Sequence, residues 1–500
     1  MAQFKDLTPD DLFALWEADK DSRAVMAIRQ AYYNGIHSIV NSNELGVDGE
    51  PKSELVSNFI KYGVDMFVGS IAGEPYNVTA LEVDPVEGEI LEPNESPALY
   101  REIGTANGFD IADVENARNA FVSGYGIETH EYDANTKAYI ITPQDPITFH
   151  LVWDSNGSLL GAIHVSEIPA GKFYNGEFMA DGAVIMVVYT DDSITTYNMI
   201  KGNDGWTIPE GGEIPHAFGA VPIVLWQINN AYNSHISNDI IGQQDEYNET
   251  DSRSGDDLRW DSDGVLEVKG YSIDQIKELS ATLREWKVFP VPENGGIRFV
   301  KKDVDFARTD ARISRTRSNL FMGLGVPDVE EIVGSTGDTS GIALQLKFKP
   351  MQDASKTIIA FFRAGVRDRI AMINAIMNDA IKDVQVNIEF DLPRNSIEEW
   401  QNIANVNGIV SHTKQLEMLS DVEDPDQERK RLDREKEDAR FIDRTGGSVE
   451  QVVARNDADI RDKAIELAPN IETMIATISD AVLNHTLKAT AGTKQTPTDV

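Results

Sequence analysis

One stretch, residues 304–349, is the most informative about the fold; it reads VDFARTDARISRTRSNLFMGLGVPDVEEIVGSTGDTSGIALQLKFK. Its first part is a polar segment that predicts a helix over 304–323. A connection rich in glycine, serine and threonine follows at 333–341, and a long helical stretch is predicted over 342–381. The stretch therefore predicts two helices joined by a glycine-rich loop.

Basic residues concentrate on both sides of this loop, although the chain as a whole is acidic. The 500 residues include 45 Lys and Arg against 83 Asp and Glu, a formal net charge of −38. Residues 1–150 hold 9 basic and 26 acidic side chains, whereas residues 284–317 hold 9 and 5, and residues 342–370 hold 6 and 2. The net charge argues against a protein that coats DNA, because binding to the phosphate backbone depends on Lys and Arg. Local contact with DNA is still compatible with the two basic segments.

Three arginines of the first basic segment fall on one helical face. Arg308, Arg312 and Arg315 are spaced i, i+4 and i+7. One interpretation is a solvated helix face with local ion pairs. The other is a surface that pairs with acidic neighbours between subunits, or that faces polyanionic DNA. The spacing alone leaves both open.

Length and composition indicate a globular protein with several structural regions. The chain is 41% hydrophobic and 26% charged, and its length predicts two to four regions rather than one core. It has no apolar run of the roughly 18 residues that a membrane span needs, and its first residues lack the pattern of a secretory signal. Cysteine is absent, which excludes disulfides and thiolate metal sites.

The rest of the sequence alternates between helical and β-rich segments, so the predicted fold class is α+β. Helices are predicted over 1–30, 53–72, 110–123, 234–258 and 273–285, and loops over 76–100. Short β-type runs over 137–226, separated by Asn-Gly and Asp-Gly turn signals, favour an antiparallel sheet or a small barrel. Further strands are predicted over 264–270, 286–290, 297–301 and 384–390, followed by mostly helical sequence to about residue 485.

No motif predicts catalysis, a metal site or a cofactor. The eight histidines are scattered and form no HExxH pattern. The run GSTGDTSG (334–341) lacks the Gly-Lys-Ser/Thr ending of a phosphate-binding loop, so a mobile loop is favoured. GDD (255–257) and DSDG (261–264) do not complete a calcium-binding loop, and helix ends and turns account for them.

A series of short motifs occurs in one order between residues 30 and 435, and its order is more specific than any single member. The motifs are YYNG (32–35), SNFIKYGVDMFVGSIAGEP (57–75), HAFGAVPIVLW (216–226), a helix with Asp239, Gln243, Asp245, Tyr247, Asn248, Asp256 and Asp257, LGVPD (324–328), SGIALQLKF (340–348), FDLPRNSIEEW (390–400) and VSHTKQLEMLSDVEDPDQERKRL (410–432). This order resembles the portal proteins of tailed phages, in particular the siphophage type found with Gram-positive hosts. Residues 76–136 and the part beyond 440 contain no such motif.

The resemblance implies a portal fold with a β-rich wing, long stem helices, a small α/β clip and a helical crown. The implied regions are a wing at 1–233 with its β-rich part at 137–226, a stem helix at 234–261, a clip at 262–302, a second stem helix at 303–326, a tunnel loop at 327–341, a long helix returning to the wing at 342–400, a crown at 401–487 and a disordered tail at 488–500.

The function that the resemblance implies is one subunit of a dodecameric ring at one capsid vertex. The ring would form the channel for packaging, retention and ejection of double-stranded DNA. Its partners would be terminase, head-completion or connector proteins, and the major capsid and scaffolding proteins; its location would be the virion, after assembly in the host cytoplasm. No membrane is involved.

The resemblance also implies where the charged and mobile residues of the channel lie. The candidate channel-side or intersubunit charges are Arg308, Arg312, Arg315, Lys347 and Lys349. The candidate tunnel-loop residues are Gly334, Ser335, Thr336, Gly337, Asp338, Thr339 and Ser340. Two alternatives stay open: a metal-dependent nuclease that uses some of the many carboxylates, and another structural protein of the virion.

Overall fold

The structure is a computed structural model in which the chain divides into two compact units, residues 1–393 and 394–500. It describes residues 4–42, 45, 51–81, 94–133, 135–174, 177–200, 205–263, 265–270, 272, 293–300, 305–328, 341–388, 390, 429, 431 and 432. The fold below is therefore that of the first unit. None of its described helices is both long and apolar enough to cross a membrane.

Helices and strands alternate as the sequence predicts, and the α+β fold class is confirmed. The helices are α1 (Pro9–Ala18), α2 (Lys20–Tyr33), α3 (Phe59–Ala72), α4 (Ser96–Asn107), α5 (Phe109–Ser123), α6 (Asn238–Asp263), α7 (Phe306–Leu324) and α8 (Gly341–Met377). The strands are β1 (Asn77–Ala80), β2 (Tyr125–Asp133), β3 (Ala138–Gln144), β4 (Phe149–Trp153), β5 (Leu159–Ile168), β6 (Lys172–Tyr174), β7 (Glu177–Met179), β8 (Ala183–Tyr189), β9 (Ser193–Ile200), β10 (Glu213–Pro215), β11 (Ile223–Gln227), β12 (Val265–Lys269), β13 (Gly296–Val300) and β14 (Val384–Asn387).

The β-rich region forms antiparallel sheets, as the turn signals predict. Five strands follow the order β10-β9-β8-β5-β4, and three follow the order β11-β2-β3. Two-stranded pairs are β6-β7, β12-β13 and β1-β14, of which the last joins segments far apart in the chain.

Three hydrophobic clusters hold these elements together. The largest contains buried residues of α3, α5, α7 and α8 together with the fully buried Trp226 of β11. The second lies between the five-stranded and three-stranded sheets, where Phe149 and Ile127 are both fully buried. In the third, α1 packs Leu12 against the outer face of the five-stranded sheet.

The helix start at Pro9 agrees with the sequence reading. Thr8 accepts a hydrogen bond from the Asp11 backbone N–H at 3.2 Å, and Asp11 accepts one from the Thr8 backbone N–H at 3.3 Å. This reciprocal cap satisfies two backbone donors of the first turn. The single helix predicted over 1–30 is two helices, because the chain leaves helical geometry at Asp19.

One prediction in the first third of the chain is wrong, and one strand there was not predicted. The predicted loops over 76–100 include β1 and the start of α4. Strand β1 is stabilised by pairing with β14, about 300 residues away in sequence, which local composition does not reveal. Strand β2 was not predicted, since its residues 125–130 are all buried and show no alternation of polar and apolar side chains.

Other boundaries shift by a few residues. Residues 53–58 are extended, so the helix predicted to start at residue 53 begins at Phe59. Helix α8 already begins at Gly341, within the predicted loop of 327–341. The predictions for 273–290, and almost all of those beyond residue 390, lie outside the described residues, as do the tunnel-loop residues 334–340.

Candidate functional site

The helix pair α6 and α7 forms the region that the sequence singled out. The two helices are connected through the antiparallel pair β12-β13. Two contacts show that the helices are antiparallel. Ile240 near the start of α6 lies next to Gly323 near the end of α7, and Glu246, later in α6, bonds to Arg312, earlier in α7. Asp305 caps the first turn of α7 by accepting a hydrogen bond from the Arg308 backbone N–H at 3.0 Å.

Helix α6 holds the extended segment 53–58 through a ladder of hydrogen bonds. Alternate backbone N–H groups, from Ser53 to Phe59, each donate a hydrogen bond to a side chain of α6. The four accepting residues of the helix are spaced four positions apart. The four bonds run from Ser53 N to Asp256 Oδ1 (3.2 Å), Leu55 N to Ser252 Oγ (3.0 Å), Ser57 N to Asn248 Oδ1 (3.3 Å) and Phe59 N to Gln244 Oε1 (3.2 Å).

The ladder follows from a match between two repeats. Two residues of extended chain rise by roughly 6.6 Å, and four residues of an α-helix rise by roughly 6 Å. A polar side chain at each fourth helix position therefore meets each second N–H. Alternate backbone donors of the segment are satisfied without a neighbouring strand, and the start of α3 is fixed against α6.

Helix α6 also contacts the end of α2 and the residues after it, through one buried and one partly buried contact. Asn248 Nδ2 lies 2.7 Å from His37 Nδ1, and the Tyr32 hydroxyl donates to Asp245 at 2.8 Å. The motif in α6 includes Asp245, Asn248 and Asp256, but the sequence alone predicts no contact for them. Their spacing with Gln244 and Ser252 on a polar helix was the available signal.

The three arginines of α7 lie together on its exposed side, as their spacing predicts. Arg312 forms an ion pair with Glu246 of α6, with Nη2 2.8 Å and Nε 3.1 Å from Oε1. Arg308 and Arg315 are exposed and form no ion pair with any side chain that the structure describes. Arg312 thus has an intrachain partner, and Arg308 and Arg315 have none among the described residues.

The two candidate lysines of α8 are exposed and differ in their surroundings. Lys349 Nζ lies 2.7 Å from Asp353, and this hydrogen bond raises the pKa of Lys349 and lowers that of Asp353. Asp353 also pairs with Lys356 at 3.0 Å. Within the part of the chain that the structure describes, Lys347 forms no ion pair. The structure does not bring these lysines into contact with the arginines of α7.

The end of α7, where the predicted tunnel loop begins, is held in place by an ion pair. Gly325 ends the helix with a φ of 69°, a conformation that favours glycine. Two residues after the buried Val326, Asp328 Oδ1 accepts a hydrogen bond from Arg317 Nη2 at 2.9 Å, and its Oδ2 lies 2.8 Å from Arg317 Nε. This charge-assisted ion pair fixes the direction in which the chain leaves α7.

A second polar cluster, which the sequence reading missed, lies fully buried around Arg369 of α8. Arg369 Nη2 lies 2.6 Å from Asp113 of α5 and 2.6 Å from Glu128 of β2. Its Nε donates to the other oxygen of Glu128 at 2.8 Å, and its Nη1 to the Tyr100 hydroxyl of α4 at 3.2 Å. One guanidinium therefore joins four secondary-structure elements.

Aromatic rings and neutral polar groups complete this cluster. The Arg369 guanidinium carbon lies 4.2 Å from the Phe109 ring centre and 4.6 Å from that of Trp226. Asn116 donates to Glu128 at 2.6 Å. His130 lies 3.1 Å from Glu128 through Nε2 and 2.8 Å from the Tyr139 hydroxyl through Nδ1.

Burial affects the two carboxyl groups of the cluster differently. Burial raises the pKa of Asp113 to about 6, even though Arg369 opposes this change. Burial also acts to raise the pKa of Glu128, but the charge and hydrogen bonds of Arg369, with help from His130, hold that pKa at about 2. Glu128 is thus the stable counterion of Arg369, and Asp113 changes its charge in mildly acidic solution.

The described residues offer no support for the nuclease alternative. They contain no group of three or more His, Asp or Glu side chains that could hold a metal ion. The stretches at 255–257 and 261–263 lie in or at the end of α6, and Asp256 is a member of the ladder.

Comparison with known proteins identifies one matching family. A family model described as "Phage portal protein, SPP1 Gp6-like" matches residues 13–440. No curated protein matches the chain.

Solved structures with a similar fold come from gene transfer agent (GTA) particles. The neck of a native GTA particle computed with C12 symmetry contains a chain 10% identical, with a TM-score of 0.44, and 72% of this chain and 89% of that chain are covered. A chain in the virion of a native GTA particle is 10% identical with a TM-score of 0.43, and 71% of this chain and 87% of that chain are covered. A chain in the neck of an empty GTA particle computed with C6 symmetry is 12% identical with a TM-score of 0.42, and 72% of this chain and 88% of that chain are covered.

The substitution Ser252→Ala tests the ladder. It leaves the Leu55 N–H without its acceptor, and we expect the free energy of unfolding to fall by about 1 to 3 kcal/mol. Chemical denaturation measures the change. Ser254→Ala is the matched control on the same helix, because its hydroxyl bonds to no residue of the described part. Equal stability of the two variants would contradict the role of the ladder.

The substitution Asp113→Asn tests the buried cluster. Because folding raises the pKa of Asp113 from its ordinary value of 3.8 to about 6, the folded chain binds this proton more tightly than the unfolded chain. The Asp113 contribution to the free energy of unfolding therefore falls, by on the order of 3 kcal/mol, as the pH rises through that window. Folding lowers the pKa of Glu128, so its contribution to the free energy of unfolding rises with pH instead. That change occurs only below the ordinary pKa of Glu128, 4.5.

Denaturant unfolding at about pH 5 and about pH 7 measures this effect. The difference between wild type and Asp113→Asn isolates Asp113, because both chains share every other ionisable group. The Asp113→Asn chain should lose less stability over this interval than the wild type. Asp110→Asn, an exposed change on the same helix, should behave like the wild type, and a wild-type slope in Asp113→Asn would refute the assignment.

Proposed function

The chain belongs to the SPP1 Gp6-like family of phage portal proteins, and on this premise we propose that it forms a dodecameric ring through which double-stranded DNA enters and leaves the capsid. The observation that carries the proposal is the match of the family over residues 13–440, which includes every element from α2 to α8. A ring closes when different patches of neighbouring copies meet. Such a ring acts as a structural conduit and not as an enzyme.

The regions of the chain have separate parts in this proposal. Helices α6 and α7 are the stem, and the pair β12-β13 belongs to the clip. The ion pair of Arg317 with Asp328 directs the chain from the stem into the tunnel loop. Terminase during filling, and head-completion or connector proteins afterwards, are the proposed docking partners, alongside the major capsid and scaffolding proteins. The ring assembles in the host cytoplasm and remains in the virion.

The charge of the chain supports a conduit through which DNA slides. Every phosphate held by Lys or Arg adds to a salt-dependent attraction for the duplex. A chain with a net charge of −38 holds DNA weakly overall. A few basic groups near the tunnel loop, Lys347 among them, then slow the DNA without stopping it.

Electron microscopy of the purified chain tests the proposal directly. Closed rings with a central opening wide enough for duplex DNA are expected. Shells, tubes or monomers at all concentrations would contradict it. Cleavage of DNA by the pure chain in the presence of a divalent metal would instead support the nuclease alternative.

The substitution Lys347→Glu tests the DNA-facing role of α8. Rings should form as in the wild type, because Lys347 pairs with no described residue. The fraction of capsids that keep their DNA after packaging should fall, because a cation near the duplex becomes an anion. Lys20→Glu, an equal charge change on α2, is the control. Unchanged DNA retention in Lys347→Glu would contradict the role.

A further inference from the structure

The exposed surface of the α6–α7 pair carries one row of acidic residues and one row of basic residues. Asp239, Glu246 and Glu249 form the acidic row of α6, at i, i+7 and i+10. Arg308, Arg312 and Arg315 form the basic row of α7, at i, i+4 and i+7. These spacings place each row on one side of its helix. The row residues are exposed, apart from Glu246, which is partly exposed.

The two rows lie side by side on one surface. The ion pair between Arg312 and Glu246 links them, with side-chain exposures of 57% and 41%. The helices are antiparallel, so the rows run along each other in opposite directions.

The charge of this surface argues against DNA as its partner. With three acidic and three basic members, the rows have no net charge, and the acidic row repels phosphates wherever the basic row attracts them. A second copy of the chain fits better, because it presents the opposite charge to each row. Among the described residues, Arg308, Arg315 and Asp239 form no ion pair, whereas Glu246 pairs with Arg312 and Glu249 pairs with Arg253 of the same helix. The three unpaired residues leave one copy with opposite charges for another.

The outer side of α7, beside the basic row, is also shaped for a second helix. Its exposed side chains are mostly small: Ala307, Ala311, Ser314 and Ser318. Met322 at its end is 76% exposed, and no described residue covers it. Small side chains allow a neighbouring helix to approach closely, and an exposed methionine gains from burial there.

We propose that the basic row of one copy contacts the acidic row of the next copy around the ring. The arginines of α7 then hold the ring together, whereas DNA is contacted elsewhere. This inference rests on the ring of the proposed function and specifies one of its interfaces. The contact is heterologous, since the surface given by one copy differs from the surface that receives it.

Two complementary variants test the contact. Arg308→Glu combined with Arg315→Glu makes both rows acidic, and Asp239→Arg combined with Glu249→Arg makes both basic. Each variant alone should form at least tenfold fewer rings than the wild type in native mass spectrometry and electron microscopy. An equal mixture should recover rings, because copies of the two variants can alternate and every row then faces its opposite.

The control keeps the charge change but moves it away from the surface. Lys20→Glu combined with Arg101→Glu alters two exposed basic residues on α2 and α4, and it should assemble like the wild type. Recovery in the mixture also shows that both variants are folded. Circular dichroism of each variant alone provides an independent check.

Three results would contradict the inference or its premise. Normal rings from either variant alone, or a mixture that forms no rings from two folded variants, would overturn the contact between rows. Normal rings together with altered DNA retention in the arginine variant would assign the basic row to DNA instead. A wild-type chain that never forms rings would contradict the proposed function itself, before either variant is compared.

Discussion

The buried ion pairs of Arg369 are the interaction on which the arrangement of the first unit most depends. One guanidinium in α8 binds Asp113 of α5, Glu128 of β2 and the hydroxyl of Tyr100 on α4. Removing one partner of a buried ion pair typically costs 3 to 5 kcal/mol, because the remaining charge is then unpaired. The positions of a long helix, a neighbouring helix and a central strand are therefore fixed relative to one another by a single side chain.

The ladder of α6 extends this constraint to the region with the proposed function. Polar side chains on one face of α6 bind the extended segment before α3, while α3 packs against α7 through Leu324, whose side chain lies next to Gly63. The α6–α7 pair is thus supported on one side by hydrogen bonds and by apolar contact together. The two charged rows lie on the exposed surface of the pair.

Sequence patterns predicted those parts of the structure that depend on local periodicity. Helices α5 and α7 and most strands between residues 137 and 226 agree with their apolar spacing and turn signals. The portal family and its function were predicted from the order of motifs, and the family match confirms them over the nuclease alternative. The regional boundaries and the roles of individual charged residues stay predictions.

The parts that were missed depend on contacts between distant residues. Arg369 was counted as one more basic residue of the 342–370 segment, yet it is fully buried because Asp113 and Glu128 surround it. Strand β1 exists because β14 pairs with it. The alternate N–H donors of segment 53–58 have acceptors only because the face of α6 carries polar groups at the matching distance. The periodicity of one segment gives no information about partners that are distant in the sequence.

The ladder has a consequence for the order of events during synthesis. Its four bonds join residues separated by 185 to 203 positions. While the ribosome translates the sheets between them, the backbone donors of segment 53–58 can bind only water. The start of α3 therefore gains its final support only after α6 has left the ribosome. The Arg369 cluster closes later still, since Arg369 lies more than 100 residues beyond Asp263 at the end of α6. The start of α3 therefore reaches its final contacts only after the middle of the chain has been synthesised.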